Sequence, residues 1–307
     1  MGYKTLETII NSGKDVVDIT FSSEDPFHLD KLAKKKNVTA IVDCGVAPGL
    51  SNIIIGYVNS KLDKIHSIKI YVGGLPRVRE LPYEYKAVFS PIDVIEEYTR
   101  PARLIENGKV VARPALSEPE LINFPDIGIL EAFNSDGLRT LLFTIKAKEM
   151  KEKTLRYPGH IDKILLLKKT GFFNKDFIKV KNVKIRPIDL TTKLLFPLWE
   201  LKDNDRDFTV MKIIVEGVKS NQNLRYIFDL IDYYDEVTKV HSMARTTGYT
   251  ATMTVRMLAN GLFNKKGICP PEFIGDKSDC FEFILKGLEE RNILIKESKE
   301  TINETSN

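Results

Sequence analysis

Val38 to Asn52 reads V-T-A-I-V-D-C-G-V-A-P-G-L-S-N, and the fold turns on this stretch. Val38 to Val42 is a short apolar, β-branched run between a Lys-rich segment and a glycine-rich turn, as in a strand buried on both faces of a parallel sheet. Asp43, Gly45, Pro48 and Gly49 make the turn, and Ser51 or Asn52 can cap a helix running from Ile53 toward Leu62. Ligands of open α/β sheets sit beyond the carboxyl ends of the strands, so chemistry is expected at this turn. An ordinary strand-to-helix connection would use the same residues.

Working outward, Tyr3 to Ser12 has a helical pattern and Gly13 is its stop. Asp15 to Phe21 (D-V-V-D-I-T-F) reads as a strand, and Ser22 to Pro26 opens a helix through Lys36 whose terminal lysines suit the dipole. Strand, helix, strand, helix is the rhythm of a parallel sheet. After Leu62 it changes. Ile65 to Val72 is a strand ending at Gly73-Gly74, followed by a Pro-, Arg- and Tyr-rich loop from Leu75 to Lys86. Ser90 to Tyr98 is helical, and Arg103 to Val111 carries an Asn107-Gly108 hairpin turn. Three β-rich runs between Asp207 and Ser242 predict an antiparallel meander. From Met243 the chain is helical to Gly261, Pro270-Pro271 breaks it, and Asp279 to Arg291 is a last amphipathic helix. Glu297 to Asn307 is polar and expected to fray. The fold class is therefore α/β plus α+β, with domain limits at 1–64, 65–242 and 243–307, the last segment returning to the first.

The 307 residues, 43% hydrophobic and 29% charged, suffice for a full core. The net charge of +4 is spread without a basic block, so no nucleic-acid partner is expected. No apolar run is long enough to span a bilayer, and no membrane partner is expected. Cys44, Cys269 and Cys280 form no C-x-x-C pair, and with no signal peptide this points to a cytoplasmic setting. His28, His66, His160 and His241 lack metal-ligand spacing, so no metal is expected.

Several stretches carry a resemblance: D-C-G-V-A-P-G-L-S-N (43–52), Y-V-G-G-L-P (71–76), P-x-E-Y-K-x-V-F-S (82–90) and E-Y-T-R-P-A-R-L-I-E-N-G-K (97–109). L-E-A-F-N-S-D-G-L-R-T-L (130–141), T-L-R-Y-P-G-H (154–160), M-A-R-T-T-G-Y-T-A (243–251) and G-I-C-P-P-E (267–272) continue it in order. The chain resembles the saccharopine dehydrogenase-like oxidoreductases, most closely the lysine 6-dehydrogenase type. The resemblance implies a Rossmann domain carrying NAD or NADP, a mixed- or antiparallel-sheet substrate domain that also builds a homodimer, and hydride transfer at the CH–NH group of an amino-acid substrate. Yet no G-x-G occurs in the sequence, so the pyrophosphate-binding fingerprint is absent. The resemblance begins inside what should be the fourth strand region, which implies an N-terminally truncated Rossmann domain and an impaired grip on the cofactor.

The resemblance also assigns residues. Asp18, Ile19 and the loop Gly45, Val46, Ala47, Pro48 and Gly49 would face the nicotinamide. Arg156 would grip an α-carboxylate, His160 would move a proton near neutral pH, and Glu131 would hold an ammonium. Tyr85, Tyr157, Arg245 and Thr247 would contact substrate, Arg245 and Thr247 from a helix N-terminus that favours anions. Each also has a structural reading: strand-end turn, satisfied arginine and histidine, strand-edge charge, packing. Ala47 stands where saccharopine reductases tend to carry aspartate. The alternatives are a saccharopine reductase or carboxynorspermidine synthase-type enzyme, or a non-catalytic dimerising or amino-acid-binding remnant.

Overall fold

A computed structural model describes residues 2–302. The chain opens with α1 (Gly2–Asn11) and a first strand, β1, of only Val16–Val17. The pattern over 15–21 predicts a longer strand. It stops because the Asp18 carboxylate accepts the Thr20 N–H at 2.9 Å and turns the backbone. A 3-10 turn (Pro26–Leu29), capped by the Asp25 side chain, leads into α2 (Asp30–Lys35), then β2 (Thr39–Ile41) and α3 (Leu50–Lys61). β3 (Lys64–Pro76) runs straight through Gly73-Gly74, where the sequence predicts its end. The glycines serve close approach here: a Cβ on Gly73 would lie 2.7 Å from the Leu155 carbonyl, and one on Gly74 2.6 Å from Val88.

Next come α4 (Pro91–Thr99) and the hairpin β4 (Ala102–Glu106) and β5 (Lys109–Arg113). Asn107 and Gly108 both take positive φ there (50° and 75°), as its tight turn requires. β6 (Glu120–Phe124), β7 (Gly128–Asn134), α5 (Leu141–Thr144), β8 (Glu149–Arg156) and α6 (His160–Lys169) follow. A small separate hairpin, β9 (Ile178–Val180) and β10 (Val183–Ile185), precedes α7 (Pro187–Trp199). β11 (Asp207–Lys219) and β12 (Gln222–Tyr233) pair along their whole length. The third strand expected near 237–242 is instead a turn, because the Asp235 carboxylate accepts the N–H groups of Val237 and Thr238 at 2.9 Å. After α8 (Ser242–Ala259), β13 (Gly267–Cys269), α9 (Glu272–Gly275) and α10 (Ser278–Glu289), the segment expected to fray forms β14 (Ile295–Thr301), paired antiparallel to β12. Residues 303–307 of that segment lie outside the described residues.

Two main sheets result, and the architecture is α/β plus α+β as expected. A three-stranded parallel sheet has the order β1-β2-β13. A nine-stranded mixed sheet has the order β14-β12-β11-β3-β8-β4-β5, with β7 also on β8 and β6 on β7. Residues 243–302 divide between them, β13 joining the parallel sheet and β14 the large one. A single core joins the sheets, running from Ile41 and Cys44 through α3, α8 and α10 to Ile68, Ile70 and Met211. The carboxyl ends of β1 and β2 thereby abut the large sheet.

Helix α3 is fixed by backbone contact. A Cβ on Gly275 would lie 1.8 Å from the Ile53 carbonyl oxygen, and one on Gly56 2.0 Å from that of Glu272. Gly275→Ala is expected to lower unfolding stability in urea by about 1–3 kcal/mol, since two backbones would have to part. Gly248→Ala, at a position in α8 with open space around it, is expected to raise stability by up to about 1 kcal/mol.

Candidate functional site

The loop after β2 curls on itself. The Gly45 N–H donates to the Pro48 carbonyl, and the Leu50 and Ser51 N–H groups donate back to Gly45 and Val46. The Gly49 N–H donates to the Asn52 side chain at 3.3 Å. Gly49 takes φ +134°, and a Cβ there would strike the Gly45 carbonyl at 2.0 Å, so only glycine closes the ring. Ala47-Pro48 is cis. The Asp18 carbonyl accepts the Cys44 N–H at 2.9 Å, which brings the ends of β1 and β2 together as expected, while Ile19 stands mostly exposed. Thr247 packs over Gly45. The Cys44 thiol donates to Thr254 and burial pushes it up to about 12, so it is a packed thiol and not a nucleophile.

A charged seam leads from this loop to the end of β8. Asp43 and Arg139 form a buried two-point ion pair at 3.1 and 3.2 Å, and both hold left-handed backbone (φ 53° and 51°). Burial raises the Asp43 carboxyl above its ordinary value, with the Arg139 charge offsetting part of this. Beside them, Arg103 grips Asp136 through Nε and Nη2 at 2.8 and 3.0 Å. Asp43, Arg103 and Arg139, with Ser23, Asp25 and Thr140, line a hollow of about 50 Å³. Below it, Glu272 accepts from Asn52, Thr140 and Thr144, pinning α9 to α3 and α5. Further along, Glu152 is buried and accepts from Ser135 Oγ at 2.7 Å and the Gly137 N–H at 2.9 Å. Burial, with Glu97 and Asp136 adding, drives its carboxyl up to about 7.

The seam ends in an aromatic box. Arg156 is buried with its guanidinium 4.4 Å from the Tyr85 ring centre, donating to Tyr98 Oη, Tyr85 Oη, the Leu155 carbonyl and Glu97, the last at 2.9 Å. It is an arginine with its partners already in place, not a free carboxylate grip. His160 bonds the Tyr98 hydroxyl at 2.9 Å and the Tyr83 carbonyl at 3.0 Å. Burial and the Arg156 charge push its pKa down to about 3, so the expected neutral-pH titration is corrected: the ring stays uncharged.

Three other assigned residues already have partners within the chain. Glu131 accepts the Gly159 N–H at 3.0 Å at the start of α6. Tyr157 donates to the Pro76 carbonyl and lies under the Arg79 guanidinium. Arg245 is consumed by Asp232, Asp235 and the Arg291 carbonyl. The N-terminus of α8, expected to favour a ligand anion, is filled by the Asp207 carboxylate, which accepts from Ser242 and Met243.

The hollow beside Asp43 is lined by neither Arg156 nor His160. From the 43–49 loop, packing runs from Gly45 to Thr247, Met243, Gly74 and Val88. Sequence reasoning passed over Asp43, Glu97, Asp136, Arg139 and Glu272, although each stands inside a motif that carries the resemblance. Glu152 lies in none, and its β-strand neighbours gave no signal that it is buried.

Residues 45–294 match the family model described as the saccharopine dehydrogenase C-terminal domain. The chain belongs to this family. Among curated relatives it is 29% identical over 161 residues to the mitochondrial alpha-aminoadipic semialdehyde synthase of Bos taurus, covering 48% of this chain and 17% of that one. It is 27% identical over 184 residues to the saccharopine dehydrogenase [NADP(+), L-glutamate-forming] of Pyricularia oryzae, covering 56% and 41%. The chain thus spans less than half the length of these relatives. Apo saccharopine dehydrogenase (L-Glu forming) of Saccharomyces cerevisiae superposes with a TM-score of 0.77 at 18% identity, covering 96% of this chain and 81% of that one. A Legionella pneumophila homospermidine synthase solved with NAD gives 0.64 at 12%, covering 96% and 73%. At these identities the superpositions show the fold.

A dinucleotide needs free N–H groups at a helix start for its pyrophosphate. At the head of α3 those of Gly45, Gly49, Leu50 and Ser51 are already bonded within the loop. The head of α3 does not fit that part of the group.

Glu152 sets a pH test. Its folded value of about 7 exceeds the ordinary 4.5, so its contribution to stability is full below about 4.5 and is lost as pH rises through 7. Urea unfolding of Glu152→Gln at pH 5 and pH 8 is expected to show the variant gaining on the parent protein as pH rises. Parallel curves would place the carboxyl in water.

Proposed function

We propose that the chain is the substrate-holding part of an oxidoreductase acting on the CH–NH group of an amino acid of saccharopine or lysine type, with NAD or NADP as its partner in the reaction. The observation that supports this most is the hollow at the carboxyl edge of the parallel sheet, where charges of both signs meet. Arg103 spends Nε and Nη2 on Asp136 and keeps Nη1 for a ligand carboxylate. Asp25 and Glu24 on the opposite wall suit an ammonium. At about 50 Å³ the hollow takes the head group of an amino acid, with the remainder toward solvent. In this reading the Val46–Gly49 loop is the flat wall beside the reacting carbon, and Glu152, near neutrality, serves as a proton reserve. In this reading a homodimer contact would use the face of the large sheet where Ile214, Ile227 and Ile231 are half-buried.

A second reading is a non-catalytic amino-acid-binding or dimerising module, favoured by the closed N–H groups of the 43–49 loop and the missing G-x-G. Calorimetric titration with saccharopine, lysine, NADH and NADPH separates the two. The enzyme reading expects saccharopine or lysine to bind with a Kd of about 1 mM or tighter, at least tenfold weaker in Arg103→Met, and a reduced nucleotide to bind as well. Amino-acid binding without nucleotide binding selects the second reading. Binding of neither amino acid overturns both the hollow and its Arg103.

A further inference from the structure

Nine of the exposed large apolar side chains, more than a third of those among the described residues, fall between 166 and 198. β9 and β10 form a two-stranded sheet of their own, and every residue but Ile185 is exposed. Such a hairpin is marginal in water unless something covers it. In register, Val180 opposes Val183 and Ile178 opposes Ile185 on one face, while Lys179 opposes Lys184 on the other. Like charges set directly across from one another repel unless an anion lies near. Helix α7 follows at once. Its inner face buries Thr191, Leu195 and Trp199, yet Leu190, Leu194 and Leu198, spaced four apart on one stripe, are exposed. A helix that is apolar on two faces calls for a cover on the second.

The charge around this surface limits what covers it. Lys175 pairs with Glu96 and Arg186 with Asp189. Lys179, Lys181, Lys184 and Lys193 carry no ion-pair partner among the described residues. Two copies meeting face to face here would oppose positive charge to positive charge. The hairpin projects, exposed on both strands, so it is a wedge and not a groove shaped for a folded partner.

We propose that the β9–β10 hairpin and the outer stripe of α7 dock on an anionic lipid surface. A bilayer needs no matching relief: valine and leucine side chains enter the interface while lysine stems reach to the headgroups. The attachment lies on the membrane. Among the described residues no helix is long and apolar enough to cross one. This revises the expectation of no membrane partner, which considered only spanning runs.

Cosedimentation of the full chain with vesicles tests it. Phosphatidylserine-containing vesicles are expected to retain the protein, phosphatidylcholine vesicles to leave it in solution, and added salt to weaken retention. Lys179→Gln with Lys184→Gln is expected to weaken retention about 30-fold, from roughly 1 kcal/mol per lysine. Leu190→Ser with Leu194→Ser is expected to weaken it without a change in near-UV circular dichroism. Equal behaviour on both vesicle types, or no retention, overturns the proposal. So does a leucine variant that dissolves a dimer while vesicle binding is unchanged, because the face then belongs to a second copy; capture of an acidic protein with no lipid retention overturns it equally.

Discussion

The buried pair of Asp43 with Arg139 is the constraint on which the arrangement of the site depends. Asp43 is the second residue beyond the central parallel strand, and Arg139 belongs to the segment after β7 of the large sheet. Their two-point bond ties the carboxyl edge of one sheet to the other sheet, with both side chains buried. Removing two charges from water is costly, and only good geometry with further hydrogen bonds offsets it. Both residues accept left-handed backbone to reach that geometry. Such a pair fixes position more than it adds stability, as expected where a loop must stand in one place against a binding surface.

The same logic runs along the seam. Arg103 with Asp136 and Arg156 with Glu97 repeat the pattern of a cation held by a carboxylate, and Glu272 ties three elements together with no cation at all. Arg103 differs in retaining exposure, as the proposed ligand contact requires. The closed 43–49 loop leaves the head of α3 poorly suited to a dinucleotide's pyrophosphate.

Much of the fold was legible because it rests on local chemistry. The buried strand at 38–42, the helix after it, the Asn107-Gly108 turn and the long helix from Met243 each follow from periodicity or turn residues. What escaped depends on distant partners. Gly73-Gly74 looks like a stop, and only the approach of Leu155 and Val88 shows that it is a strand interior. Residues 297–301 look like a frayed tail because their strand is built on β12, and an edge strand tolerates charge. At the site, residue types were read well and commitments were not. Arg156, Arg245, Glu131 and His160 all sit in polar networks, but a sequence does not reveal that a side chain already has its partners. The amphipathic hairpin at 178–185 was invisible for the same reason, since exposure on both faces is a property of the folded chain.

The most direct measurement is a double-mutant cycle on Asp43→Asn and Arg139→Gln, followed by urea unfolding. If the pair seats the loop against the large sheet, each single change costs several kcal/mol and the two together cost much less than their sum, with a coupling of at least about 1 kcal/mol. Losses that add to within about 0.5 kcal/mol would mean that the two residues do not hold the sheets together.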